Sequence, residues 1–136
     1  MLIVVVLVSG CTNQPVNQEQ TQTTTSYTIG FAEDSSGSSY LTDSRGFTLY
    51  TYQKDTPGSG TSSCTGGCIS AWPAFLVDNI MVESGLDQTK FGTITRDDGT
   101  TQIQYDGWPL YFYKGDSKPG DVKGNNVANF VVANLK

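Results

Sequence analysis

Two short segments carry the residues whose types and spacing suit chemistry. Tyr50, Tyr52 and Asp55 stand in one, and Tyr111, Tyr113 and Asp116 stand in the other at the same spacing. Two phenols on one strand face, with a carboxylate three residues on, can serve either of two ends. In one, an Asp where a strand becomes a loop accepts backbone N–H bonds as an Asx-turn does, and the hydroxyls find partners within a packed layer. In the other, four tyrosines from two equivalent strands form an aromatic platform. With Trp72 and Trp108 among its candidate residues, such a platform can stack on sugar rings, flat cofactors or a partner protein. Asp55 and Asp116 would also suit acid–base work if one pocket held both.

The thiols form a further group. Cys64 and Cys68 flank Thr65-Gly66-Gly67. This flexible linker makes a small disulfide ring easy to close, contributing ~2 kcal/mol by chain entropy, and outside the cytoplasm that is the favoured state. The alternative is a redox-active or metal-binding pair. A metal would need two more ligands, and the chain has three Cys and no His. Without His there is no Ser-His-Asp triad, no Cys-His pair and no imidazole acid–base step. No phosphate-binding Gly loop or nucleophile elbow occurs. No catalytic residue, metal or cofactor is therefore assigned. A net charge of −5 opposes electrostatic binding to nucleic acid or anionic lipid.

The elements that must position these residues begin after an address. Leu2 to Val8 form an unbroken apolar run, too short for a bilayer span but suited to the h-region of a secretory signal. Val8-Ser9-Gly10-Cys11 follows and resembles the lipobox of lipoproteins, which implies cleavage before Cys11 and lipidation of its thiol. Residues 1–10 are read as that signal, shortened at its N-terminus because the charged n-region is missing. Residues 11–26 read as a polar tether, rich in Gln, Thr, Asn and Ser, which cannot bury enough apolar surface to offset its ordering entropy. All fifteen aromatic residues lie at or beyond Tyr27, so residues 27–136 are the folded unit.

That unit reads as all-β. Runs rich in Tyr, Phe, Thr, Ile and Val predict strands at Tyr27–Ala32, Ser39–Asp43, Phe47–Tyr52, Phe91–Arg96, Thr101–Tyr105, Trp108–Tyr113 and Phe130–Ala133. Asp98-Gly99 and Asp106-Gly107 are primed-turn signals, and Ser44-Arg45-Gly46 suits a longer turn. Single helical turns are expected at Ser70–Trp72 and Leu86–Lys90. A shift of 61 positions superposes Gly46, Leu49, Tyr50, Tyr52 and Asp55 on Gly107, Leu110, Tyr111, Tyr113 and Asp116. Two repeats follow, about 27–80 and 88–136. Each is expected as a three-stranded meander with a returning fourth strand, and the two pack as a small sandwich or barrel. Alternation gives the Phe47/Trp108 and Leu49/Leu110 face to the main core and the tyrosines to the opposite face.

Tyr50-Thr51-Tyr52-Gln53-Lys54-Asp55 and Tyr111-Phe112-Tyr113-Lys114-Gly115-Asp116 both fit Y-x-[FWY]-x-x-D. Around them stand Gly46-Phe47-Thr48-Leu49, Cys64…Cys68…Ala71-Trp72-Pro73 and Arg96-Asp97-Asp98-Gly99…Gln104-Tyr105-Asp106-Gly107-Trp108-Pro109-Leu110. Together they resemble the secreted-repeat lipoprotein family of unknown function that bears this motif, over about Leu41 to Phe130. Phe130 stands where such proteins often have Trp. The resemblance implies an exported, frequently lipid-anchored domain, found singly or in tandem, with no established activity. The expected role is an extracytoplasmic binding or cell-envelope interaction module, held to the membrane by a lipid on Cys11 and facing an envelope protein or glycan. The alternative is a redox or electron-transfer accessory using Cys64/Cys68 or a bound cofactor.

Overall fold

A computed structural model describes residues 26–136 together with Gly10. Cys11, the rest of the signal segment and the tether up to residue 25 lie outside the described residues. The order is β1 (Ile29–Glu33), β2 (Ser39–Asp43), β3 (Tyr50–Tyr52), α1 (Gly67–Ala71), a 3-10 turn (Gln88–Lys90), β4 (Phe91–Thr95), β5 (Thr101–Tyr105), β6 (Trp108–Pro109) and β7 (Phe130–Val132). All pairs of strands are antiparallel: β1 with β2, β3 with β7, and β4 with β5 with β6. Single bridges at Thr42–Thr48, Tyr50–Tyr111 and Ala74–Tyr111 link these small sheets. The fold is all-β with two repeats. Its sheets do not close into a barrel: they stay separate groups of two, two and three strands, and the free side of β1 is met by residues 81–83 through the bridge from Ile29 to Val82.

Turn chemistry explains the hairpins. Between β1 and β2 the Asp34 N–H donates to Ser38 O while Gly37 takes φ 84°, and between β4 and β5 the Arg96 N–H donates to Thr100 O with Gly99 at φ 83°. Both are three-residue loops with a left-handed Gly, so Asp98-Gly99 does not form the two-residue primed turn expected of it. Asp106-Gly107 does: φ is 51° and 83°, and Tyr105 pairs directly with Trp108. Its counterpart, Ser44-Arg45-Gly46, is one residue longer, with the Asp43 N–H donating to Phe47 O. The offset between repeats therefore drops from 62 before this turn (Leu41 to Ile103) to 61 after it (Leu49 to Leu110).

The returning strands are exchanged, which corrects the expected self-contained meanders. Residues 71–75 leave the first repeat and bond to the second: Phe112 N–H donates to Pro73 O, Lys114 N–H to Ala71 O and Phe75 N–H to Leu110 O. Strand β7 of the second repeat pairs with β3 of the first, and Ala133 N–H donates to Leu49 O just as Phe75 N–H does to Leu110 O. Where the repeats meet, Tyr50 and Tyr111 exchange both backbone bonds, at 2.8 and 2.9 Å. This pair marks a pseudo-two-fold centre.

Alternation across that centre builds two cores. Ile29, Leu41, Leu49, Phe75, Ile103, Tyr105, Leu110 and Ala133 form one. Tyr40, Tyr50, Cys64, Trp72, Tyr111, Phe130 and Val132 form the other. The Leu49/Leu110 face is buried as expected. Its flanking rings are less so, Phe47 and Trp108 being half-buried.

Candidate functional site

The repeated Tyr and Asp residues are tied to one another across the repeats. Tyr50 hydroxyl donates to Asp116 Oδ2 at 2.7 Å, and Tyr111 hydroxyl donates to Asp55 Oδ2 at 2.6 Å. Each carboxylate uses its other oxygen to hold its own loop: Asp55 Oδ1 accepts from Ser63 N–H at 2.6 Å, and Asp116 Oδ1 from Lys123 N–H at 2.9 Å. Tyr50 and Tyr111 are both fully buried. Burial, and then the hydrogen bond to the carboxylate, push both phenols well above their ordinary value of 10.0, so both stay protonated in the folded protein. Asp55 and Asp116 are thus held by separate loops.

Tyr52 and Tyr113 lie on the same strand faces but are half-buried. They close the two ends of a column of four rings. Tyr52 stacks on Phe130 at 4.3 Å, Phe130 on Trp72 at 3.8 Å within 4° of parallel, and Trp72 on Tyr113 at 4.3 Å. Tyr50 meets Trp72 edge-on at 5.5 Å and Tyr111 meets Phe130 edge-on at 5.3 Å. Strand exchange builds this column, since Trp72 reaches the second repeat by the segment that bonds to Phe112 and Lys114, and Phe130 reaches the first on β7. Five of the six candidate aromatics, Tyr50, Tyr52, Trp72, Tyr111 and Tyr113, thus belong to or touch one column. Trp108 stands apart, lining a separate groove of about 190 Å³ with Thr51, Tyr105 and Asn134.

Cys64 and Cys68 form a disulfide. Cys64 is fully buried, and Cys68 packs against the cluster that contains Trp72. The bridge fixes the segment that serves Tyr111: Ser62 Oγ bonds the Tyr111 hydroxyl and accepts from Cys64 N–H at 3.2 Å. Arg96 Nη2 donates to Cys64 O at 2.6 Å and Nη1 to Gln102 Oε1 at 2.7 Å, joining this loop to the β4–β5 hairpin.

A shallow groove of about 400 Å³ opens at the Tyr52 end of the column, with Lys54, Trp72, Asn129 and Phe130 in its walls. Two non-glycine residues of its wall, Ala128 and Asn129, take left-handed φ of 50° and 66°, and Asn126 just before them takes 60°. Asn tolerates this region, whereas Ala has no polar group to offset it. Such conformations persist where the surroundings over-determine them, and they cluster at ligand clamps.

Sequence reasoning missed Ser62, Ser63, Lys123, Gly124 and Arg96. Three of these five, Ser63, Lys123 and Gly124, contribute a backbone N–H, which leaves no residue-type signature, while Ser62 and Arg96 act through their side chains. Phe130 was marked as a motif aromatic without a partner; the signal for its role is its equivalence to Trp72, visible once the repeats are paired by bonding rather than by offset.

The family model for a secreted repeat of unknown function matches the chain twice, over residues 31–75 and 92–132. The chain belongs to that family and is an extracytoplasmic protein built of two such repeats. No curated protein and no solved structure matches it. No helix among the described residues is long and apolar enough to cross a membrane.

Proposed function

We propose that this protein is a lipid-anchored binding module of the cell envelope, held by a lipid on Cys11 and taking an envelope glycan at the Tyr52 groove. The groove carries the reading. It brings the half-buried Tyr52 ring, the Asn129 amide and the Lys54 ammonium to one surface, over a rigid stack and beside a strained loop. A sugar ring offers C–H groups to an aromatic face and hydroxyls to amides and ammonium groups. Lys54 forms no salt bridge among the described residues, which leaves it to the ligand.

Titration of purified envelope glycan into the protein tests the reading, with heat or fluorescence as readout. Saturable binding that Tyr52→Ala and Lys54→Ala each weaken about tenfold or more, a loss of about 1.4 kcal/mol, supports it. Binding only to an envelope protein, or glycan binding indifferent to both changes, overturns it. The anchor is tested separately by membrane fractionation of the full chain with Cys11→Ser; unchanged membrane retention defeats that part. An electron-transfer role is the second reading, favoured by the continuous ring column beside the disulfide.

A further inference from the structure

The ring column has a geometry that packing alone does not select. Trp72 and Phe130 stand 3.8 Å apart and within 4° of parallel. Ring quadrupoles favour offset or edge-on pairs at about 4.5–7 Å over close face-to-face ones. The arrangement held here is the one that overlaps π systems. Of the two equivalent central positions, 72 and 130, only 72 is an indole, the aromatic side chain most easily oxidised without loss of a proton. Trp72 touches Tyr113, which reaches the surface, and also Tyr50, which is fully buried and bonded to a carboxylate. Tyr50 and Tyr113 are themselves 6.3 Å apart.

We infer that Tyr113, Trp72 and Tyr50 form a relay that carries a one-electron oxidising equivalent from the surface to the Tyr50–Asp116 pair, making the domain a sink for diffusible oxidising radicals outside the cytoplasm. A radical at the surface takes one electron from the stacked Tyr113–Trp72 pair and is reduced to its anion. The indole radical cation then takes an electron from Tyr50, 5.5 Å away, and is restored. As that electron leaves, the phenolic proton crosses the 2.7 Å hydrogen bond to Asp116 Oδ2. The products are a neutral tyrosyl radical and a neutral Asp116 acid. A small enediol or phenol donor resets the pair by giving one electron to Tyr50, while Asp116 returns the proton.

Gly124 fits this role. Its N–H donates to the Tyr50 oxygen at 3.2 Å, and a Cβ there would stand 2.8 Å from the Trp72 ring and 2.9 Å from Tyr113. Backbone therefore packs directly on the relay and keeps water from it. The second pair supplies an internal control. Tyr111–Asp55 has the same hydrogen bond but borders Phe130, which is far harder to oxidise.

The test is flash photolysis of the intact protein with photogenerated ruthenium(III) tris-bipyridine, followed by transient absorption and electron paramagnetic resonance. The expected product is a long-lived neutral tyrosyl radical. Tyr50→Phe removes most of this long-lived tyrosyl signal and leaves the equivalent as a shorter-lived radical on Trp72, whereas Tyr111→Phe leaves the yield unchanged. Trp72→Phe slows radical formation about tenfold or more, equivalent to about 1.4 kcal/mol on the barrier. If that variant does not fold, 5-fluorotryptophan incorporated into a Trp108→Phe background preserves the shape, raises the oxidation potential and slows formation likewise. An undiminished tyrosyl yield in Tyr50→Phe, an equal loss in Tyr111→Phe, or formation indifferent to the fluorinated indole overturns the relay. None of these outcomes bears on the groove's occupant.

Discussion

The decisive contact is a phenol donating to a carboxylate in a place water does not reach. A hydrogen bond to a charged group contributes about 1.5–3 kcal/mol, and a buried partner left without its mate costs more than losing both. The Tyr111–Asp55 pair can be measured by a double-mutant cycle with Tyr111→Phe and Asp55→Ala. We expect Asp55→Ala to cost about 2–3 kcal/mol in denaturant unfolding, because it strands the Ser63 N–H as well as the phenol. The coupling energy should fall at about 1.5–3 kcal/mol. A coupling near zero would mean that the pair is incidental. The same phenols set the alkaline limit of the fold. Their folded values are raised above 10.0, so between that value and the folded one the unfolded chain loses a proton that the native protein keeps. The stability these groups contribute is thus fully present and independent of pH below about pH 10, and it falls above it by about 1.4 kcal/mol per pH unit for each phenol until the folded value is reached. A Tyr50→Phe/Tyr111→Phe variant should lose most of that slope in urea titrations run at successive alkaline pH values.

At the scale of elements, turns set the register. Gly107 sits at φ 83°, and a Cβ there would stand 2.7 Å from the Gly58 nitrogen, whose N–H donates to Gly107 O at 3.0 Å. Gly99 has the same φ with open space around it. Gly107→Ala should therefore cost more than Gly99→Ala, about 2–4 kcal/mol against about 1 kcal/mol, read as the difference in denaturation midpoints at unchanged slope. Equal costs would show that the Gly58 approach carries no weight. This level was also the most legible in the sequence. Each of the seven strands lies where β-branched and aromatic runs fall between turn residues, and both helical turns lie within three residues of their predicted places. The illegible part was pairing. Alternation tells that Leu49 and Leu110 face inward but not which repeat supplies their neighbours, because both repeats present the same pattern of bonding groups. The site was half legible for the same reason. Tyr50, Tyr52, Tyr111, Tyr113 and both Asp residues stand out by type, whereas the crossing of their bonds depends on an exchange that no local signal encodes.

For the molecule as a whole, each half completes the other. The first repeat's tyrosine needs the second repeat's carboxylate and the reverse, and each half bonds to the returning segment of the other. Unfolding should therefore be a single transition. Fluorescence of Trp72, in the core of stacked rings, and of Trp108, in the groove beside Tyr105, should give coincident midpoints and slopes when each is read in a variant lacking the other. Native-state hydrogen exchange offers the sharper check. Asp55→Ala, a change in the first repeat, should lower protection in β5 and at Leu110 and Tyr111 as much as in β2 and β3. Loss confined to the first repeat would show that the halves are energetically separate.

The exchanged strands also bear on descent. A duplication that merely strings two finished domains together can be undone by deleting either one. Here deletion of one copy removes a strand, a carboxylate and a stacking ring from the other. A single copy would therefore complete its sheet, its tyrosine–carboxylate bond and its ring stack only by pairing with a second chain.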